Sequence, residues 1–251
     1  MSVENGEWIM YGVKEDDPYC LHTVEELEDY INEIGFLPLF RNEIPGFSVE
    51  ERTVPTYWWS GDVKKDPWEW RAVIAGRGKI AYGKFFNGKA GFISKKWLPV
   101  FVNYRRDGYD FDSLWEDEKA NIRLKKIMDC FTEDTELYSF ELKAQAGFGK
   151  GGEKNFDGTI TNLQMQTYLC VRDFRQKRNK KGEAYGWAIA VYCMPEHLFG
   201  YDFISQKYSE DPKESGQQIF DHIADIYPIA KENQIRKVLG IGADTKMPKK
   251  K

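Results

Sequence analysis

The sequence predicts an α+β fold in which two similar units follow one another along the chain of 251 residues. Two observations support this prediction. Helical patterns precede a two-stranded β-hairpin pattern in both halves, and each hairpin pattern has suitable turn residues between its strands. Helices followed by such a hairpin, the wing, form a winged helix, so we expect tandem winged-helix units.

Two helices are expected at the start of the first unit. Thr23 and Glu26 have the spacing of a capping box, and apolar residues follow at helical intervals until Gly35. Asp66-Pro67 is typical of a second helix start, because proline is tolerated at the first helical position. This second helix is predicted over residues 68–75.

The clearest local pattern is a β-hairpin in residues 79–94. Two mostly apolar runs flank Asn87-Gly88, a pair typical of a type I′ turn because both of its central residues need positive φ. Ser94 then predicts the cap of a third helix over residues 95–105.

The second unit repeats this order of helices and hairpin. Ser139 is its expected helix cap, and two strands are expected around a polar, basic turn. The predicted helices cover residues 119–131, 140–146 and 159–169, and the strands cover residues 170–174 and 187–192.

These elements divide the chain into five predicted segments. They are a polar N-terminal segment (1–20), a first winged-helix unit (21–112), a second unit with a basic wing (113–200), C-terminal helices (201–246) and a disordered tail (247–251).

Composition excludes several classes of protein. No apolar run approaches the roughly 18 residues of a membrane-spanning helix, and the N-terminus lacks the pattern of a secretory signal. The four cysteines are scattered without zinc spacing, which argues against a disulfide framework or a structural metal. We therefore predict a protein of the reducing cytoplasm that needs no cofactor or metal.

Charge is segregated along the chain, although the net charge is only −4. Residues 1–60 carry thirteen acidic and three basic side chains, whereas residues 61–110 carry five and eleven, and residues 139–187 carry five and nine. Such basic segments favour contact with nucleic acid, and solvated protein faces are the alternative.

The wing of the second unit is the strongest candidate for DNA contact. Its cations suit phosphate contacts and insertion into a minor groove, although a solvated hairpin tip would have the same composition. The predicted DNA-binding residues are Arg172, Arg175, Lys177, Arg178, Lys180 and Lys181 on the wing, with Lys150 and Lys154 nearby.

Two further motifs are weaker. Residues 147–152 match GxGxxG, but a dinucleotide site needs this motif between a strand and a helix, and the sequence predicts no preceding strand. Gln164 and Gln166 are candidate groups for reading adenine or orienting a water molecule. On a helix these two residues point in different directions, so the alternative is one exposed and one partly buried glutamine.

Taken together, the chain resembles the winged-helix DNA glycosylases of the AlkZ/YcaQ family. The resemblance covers residues 20–200 and follows the order of elements. Its motifs are Ile34-Gly-Phe-Leu-Pro-Leu-Phe40, the segment 70–78 with the following hairpin, and the most specific, Ala188-Ile-Ala-Val-Tyr-Cys-Met-Pro-Glu-His197.

The resemblance implies a fold and a partner, DNA, but not the family's chemistry. In that family a Gln-x-Gln or Gln-x-Asp pair orients the water that attacks the glycosidic carbon. The matching positions here hold Pro38 and Phe40, whose side chains cannot hydrogen-bond a water molecule.

Three functions follow as hypotheses. The first is a protein that binds DNA, as a duplex, without the catalytic pair. The second is an active glycosylase with a relocated site that uses Gln164, Gln166 or a nearby carboxylate, with aromatic walls for an extruded base. The third is a protein-interaction module whose acidic first sixty residues contact a basic partner.

Overall fold

The computed structural model of the protein describes residues 2–4, 7–132 and 135–241. The predicted tail at 247–251 and the end of the C-terminal segment lie outside the described residues. The helices are α1 (Val24–Ile34), α2 (Pro67–Arg77), α3 (Leu98–Arg106), α4 (Phe111–Glu116), α5 (Ile122–Met128), α6 (Ser139–Gln145), α7 (Phe156–Met165), α8 (Pro195–Phe199), α9 (Tyr201–Ser205), α10 (Pro212–Ile226) and α11 (Glu232–Leu239). The strands are β1 (Ser2–Glu4), β2 (Glu7–Ile9), β3 (Phe36–Pro38), β4 (Ile80–Phe86), β5 (Lys89–Ser94), β6 (Leu137–Tyr138), β7 (Cys170–Arg178) and β8 (Ala184–Cys193).

Six of the described strands form one antiparallel sheet in the order β3-β5-β4-β7-β8-β6. The hairpins of both predicted units lie in it, because β4 pairs with β7 through Tyr82 and Val171. Buried apolar side chains from all parts of the chain form a continuous core around this sheet. Helices with an antiparallel sheet confirm the α+β class, whereas the tandem winged-helix arrangement and its segment boundaries stay predictions.

Several local predictions agree with the structure in detail. Thr23 caps α1, its side chain accepting from the Glu26 backbone nitrogen at 3.1 Å, and Gly35 ends the helix with φ of 93°. The turn between β4 and β5 has positive φ at both Asn87 (48°) and Gly88 (75°), as a type I′ turn requires. Asp66 caps α2 by accepting from the Trp68 nitrogen.

Helix boundaries in other places differ from the sequence-based expectations. Ser94 ends β5 instead of capping a helix, and α3 begins only at Leu98. Asn121 caps α5, so this helix is shorter than expected, and the side chain of Ile122 is half exposed. Side-chain competition for backbone N–H groups explains this later start, since the Asn121 carboxamide accepts from two backbone nitrogens.

The β7–β8 hairpin positions the main candidate surface. Its base is buried, since Cys170 and Cys193 pair within the sheet and are fully covered. Its far end, which we call the arm (residues 175–189), leaves the sheet, and most of its side chains are exposed.

Candidate nucleic-acid interface

A β-bulge in the arm presents a tryptophan to solvent. Arg175 pairs with Ile189 and Lys177 pairs with Tyr185, so one residue on β7 faces three on β8. The two surplus residues lie in the segment 186–188, where Gly186 has φ of 73°. Bulges redirect side chains, and Trp187 in this bulge is 92% exposed.

The tip of the arm is organised by one asparagine. The Asn179 side-chain oxygen accepts from the backbone nitrogens of Lys181 (2.8 Å) and Glu183 (3.1 Å). The Arg178 guanidinium donates to the Gly182 carbonyl at 2.8 Å. This turn leaves Lys180 and Lys181 exposed at the tip, where their ammonium groups make no ion pair with a described residue. These two cations are therefore available to a phosphate.

Two other predicted DNA contacts are bound within the protein. Arg172 donates to Glu136 at 3.0 Å and to the carbonyl oxygens of Ala75 and Gly76, at the C-terminus of α2. Arg175 forms ion pairs with Asp173 and Glu136, both at 2.7 Å. Partial burial disfavours the charged form of Arg175, but the two carboxylates outweigh it and raise its pKa. The predicted cations thus form two groups. Arg172 and Arg175 stabilise the base of the hairpin, whereas the two lysines at the tip are exposed.

The remaining predicted contacts lie at the side of the arm and on a loop. The Lys177 ammonium lies 4.4 Å from the centre of the Phe140 ring. Lys150 and Lys154 are exposed on the glycine-rich loop between α6 and α7. Glu153 anchors this loop to α5 through ion pairs with Arg123 and Lys126. A helix precedes this loop, so the strand-loop-helix order of a dinucleotide site does not occur at the GxGxxG motif.

Gln164 and Gln166, the predicted catalytic pair, have different surroundings. Gln164 is buried; its oxygen accepts from the Lys84 backbone nitrogen at 3.0 Å, and its nitrogen donates to the Ile160 carbonyl at 3.2 Å. Gln166 is partly exposed and donates to the Asn162 side chain. Gln164 thus links α7 to β4, which is a structural role, and the catalytic role of the pair stays a prediction.

Two apolar side chains, Pro38 and Phe40, occupy the positions that match the family's water-orienting pair. Pro38 lies in β3 opposite Gly91. The Phe40 ring lies 5.5 Å from the Trp58 ring and 6.3 Å from the Trp68 ring, measured between centroids. The recess beside Pro38 has a volume of only about 10 Å³. A water molecule held there would find no side-chain partner in Pro38 or Phe40.

The exposed aromatic residues and the bulge of the arm were not predicted from the sequence. Tyr185 and Trp187, 51% and 92% exposed, stand among the cations that were predicted. Gly186 within a strand pattern is a recognised sign of a bulge, and this was the available signal. Glu136, which binds two of the predicted cations, had no sequence signal because it is remote from them along the chain.

The described part of the chain offers neither a cluster of metal ligands nor a membrane-spanning helix. No group of three or more His, Cys, Asp or Glu residues there is placed to hold a metal ion. Within the same residues, every helix is too short or too polar to cross a bilayer.

Comparison with known proteins gives one family. A search of curated proteins and a search of solved structures both found no match. A family model described as AlkZ related matches residues 21–240. This match covers most of the chain and includes β3, both hairpins and the helices that follow them. The chain therefore belongs to the AlkZ-related family.

Proposed function

We propose that this protein binds duplex DNA through the arm, without the water-orienting pair of the AlkZ/YcaQ glycosylases. The observation that carries the proposal is the composition of the arm surface. Exposed Lys180 and Lys181 lie at its tip, and exposed Trp187 lies in the bulge of the same hairpin.

The charges of the arm favour a phosphate backbone as the partner. Long cationic side chains that are free of carboxylates can release condensed counterions when they meet phosphates. Lys180 and Lys181 meet this condition, because the described residues give them no ion pair. Arg178 adds a third cation, although its guanidinium also donates to the tip backbone.

The shape of the arm favours a groove. A two-stranded ribbon with basic side chains fits a DNA groove, and an apolar side chain at its edge can wedge between base steps. In the proposed arrangement, helices α5 to α7 and the β7–β8 hairpin act as a winged helix with the arm as its wing. Trp187 then faces the bases while Lys180 and Lys181 face the backbone.

The water-activating chemistry of the glycosylases cannot occur at the positions of Pro38 and Phe40. Pro38 lies in β3 and the Phe40 ring lies near the Trp58 ring, and neither side chain can orient a water molecule. The family membership supports a DNA partner, and these two residues support binding in place of base removal at that position.

Fluorescence anisotropy with a labelled duplex of random sequence tests the proposal. The matched variants are Lys180→Ala/Lys181→Ala on the arm and Lys64→Ala/Lys213→Ala elsewhere, since all four lysines are exposed. We expect the arm variant to bind at least about tenfold more weakly at low salt and the control to change by less than about twofold. Equal affinities of the two variants, or no binding by the unaltered protein, would overturn the proposal.

A further inference from the structure

One side of the arm faces helix α6. The Lys177 ammonium lies 4.4 Å from the centre of the Phe140 ring, which belongs to α6. Tyr185 is the register partner of Lys177 on β8. Directly opposed residues of an antiparallel pair have their side chains on the same side of the ribbon. Tyr185 and Lys177 therefore share this side, which we call the α6 side together with Phe140.

The opposite side of the hairpin is covered at its base by helix α2. Arg71 of α2 lies over the Phe174 ring, with 3.9 Å between the guanidinium carbon and the ring centre. Phe174 points away from the α6 side, because successive residues of a strand point to opposite sides and Lys177 is three residues further along β7. Packing against the protein thus takes up the α2 side, whereas the α6 side keeps exposed aromatic rings.

The aromatic rings of the α6 side are accessible from solvent. The Phe140 side chain is 41% exposed and the Tyr185 side chain is 51% exposed. Tyr138 lies beside Phe140 with 5.4 Å between the ring centres, so the Phe140 ring has a neighbour that holds it in place. Lys177 makes only an exposed cation–π contact with this ring, which is weak enough for another planar group to displace. Both rings can therefore receive a flat partner.

The charges of the α6 side favour an anionic partner. Lys177 and Lys143 form no ion pair with a described residue, and Lys143 follows Phe140 by one helical turn. The Glu136 carboxylate, by contrast, is bound by two arginines at the base of the hairpin. The Glu141 carboxylate accepts from a backbone nitrogen at the start of its own helix. Uncompensated cations beside exposed rings match a partner that combines phosphates with planar bases.

We propose that the α6 side of the arm binds an unpaired DNA strand. Its bases lie against Phe140 and Tyr185, and its phosphates meet Lys143 and Lys177. This binding mode rests on the proposed function, since the tip of the arm holds the adjoining duplex. The preferred partner is therefore a duplex that is interrupted by a single-stranded stretch. Bases of a continuous duplex are stacked on one another, and exposing them costs free energy that an unpaired strand does not lose.

Gapped duplexes test the contact with unpaired bases. Fluorescence anisotropy of the full chain compares a continuous duplex with two gapped duplexes, whose gap holds about ten unpaired thymidines or the same number of stable abasic analogues. Both gapped duplexes carry the same phosphates, but only the first has bases to stack in its gap. We expect the thymidine gap to bind at least about fivefold more tightly than the abasic gap. Equal affinities of the two gapped duplexes would overturn the proposal.

Aromatic variants locate the unpaired strand. We expect Phe140→Ala and Tyr185→Ala each to weaken binding of the thymidine gap at least about threefold, and to change the affinity for the continuous duplex by less than about twofold. Tyr185→Phe keeps a ring and should keep the preference. The matched controls Tyr19→Ala and Tyr201→Ala remove side chains that are 70% and 56% exposed in other parts of the chain, and should have no effect.

Tyr185 decides the test even if Phe140→Ala disturbs the packing of α6, because Tyr185 lies on the exposed arm. A full preference for the thymidine gap in Tyr185→Ala and in Phe140→Ala would place the unpaired strand away from the α6 side and contradict the proposal.

The two proposals can fail independently. Lys180→Ala/Lys181→Ala should weaken binding of all three DNAs but leave the ratio between the thymidine gap and the abasic gap unchanged. Duplex binding that depends on the tip lysines, without a preference for the thymidine gap, contradicts only the proposal of an unpaired strand. A preference for the thymidine gap, without any effect of the tip lysines on binding, contradicts only the proposed function.

Discussion

Arg172 and Glu136 form an ion pair at the base of the arm, with 3.0 Å between Nε and Oε1. The same guanidinium donates from Nη1 to the Gly76 carbonyl at 2.9 Å, which gives a C-terminal carbonyl of α2 a charged donor. Arg172 therefore fastens α2 and the segment before β6 to the hairpin. Arg172 thus has a structural role at the base of the hairpin, unlike the cations that are exposed at the tip of the arm.

Arg172→Ala is predicted to affect stability more than DNA binding. The carbonyls of α2 and the Glu136 carboxylate lose a donor, so we expect the free energy of unfolding to fall by about 1–3 kcal/mol. Urea denaturation followed by circular dichroism measures this loss. An unchanged denaturation midpoint with strongly weakened DNA binding would show that Arg172 contacts DNA instead.

Gln164→Ala and Gln166→Ala are predicted to differ in stability. Gln164 is buried and bonds two backbone groups, so its truncation leaves the Lys84 N–H without this acceptor and should cost about 1–3 kcal/mol. Gln166 is partly exposed and bonds one side chain, so its truncation should cost less than about 0.5 kcal/mol. Urea denaturation of both variants gives the comparison. Equal losses would contradict the structural role assigned to Gln164.

Trp187→Ala is predicted to weaken DNA binding without destabilising the protein. The indole is 92% exposed, so its removal loses little burial, whereas stacking on a base contributes about 1–3 kcal/mol. We expect a loss of affinity of about fivefold or more, and partial rescue by Trp187→Phe. Anisotropy with duplex and single-stranded DNA measures this effect. Full affinity of the alanine variant would exclude contact between the indole and the bases.

Cys170 and Cys193 are predicted to react slowly with thiol reagents at pH 8. Their sulfur atoms lie 3.6 Å apart in the buried base of the hairpin. The hydrogen bond with Cys193, burial and the nearby carboxylate of Glu196 raise the pKa of the Cys170 thiol, so less thiolate is present at a given pH. Labelling with a thiol-reactive chromophore, followed by peptide mapping, should show modification of this pair only under unfolding conditions. Rapid native labelling of Cys170 would contradict the described packing.

Local structure was the part of the fold that could be predicted from the sequence. The N-cap at Thr23, the proline after Asp66 and the turn at Asn87 each act over a few residues, and all three are confirmed. The second bond of the predicted capping box differs, because the Glu26 carboxylate accepts from the His22 nitrogen instead of the Thr23 nitrogen. The pairing of Tyr82 with Val171 joins two distant parts of the chain. No local pattern specifies such a pair, so the single sheet was not predicted.

For the same reason, only part of each candidate site could be predicted from the sequence. A dense run of cations in the sequence marks the arm, but it does not show that Arg175 is bound to Glu136 while Lys181 is exposed. The buried ion pair between Arg106 and Glu196 likewise joins two residues that are remote along the chain, and no local pattern predicts it.

The salt dependence of DNA binding tests the central claim most directly. The unaltered protein and the variant Lys180→Ala/Lys181→Ala are compared with the same duplex over a range of potassium chloride concentrations. Each phosphate contact that is lost reduces the slope of log K against log salt by about 0.9. If the tip lysines contact phosphates, the variant will bind more weakly and its slope will be shallower by about 2. Identical slopes for the two proteins would contradict the claim that the arm binds DNA.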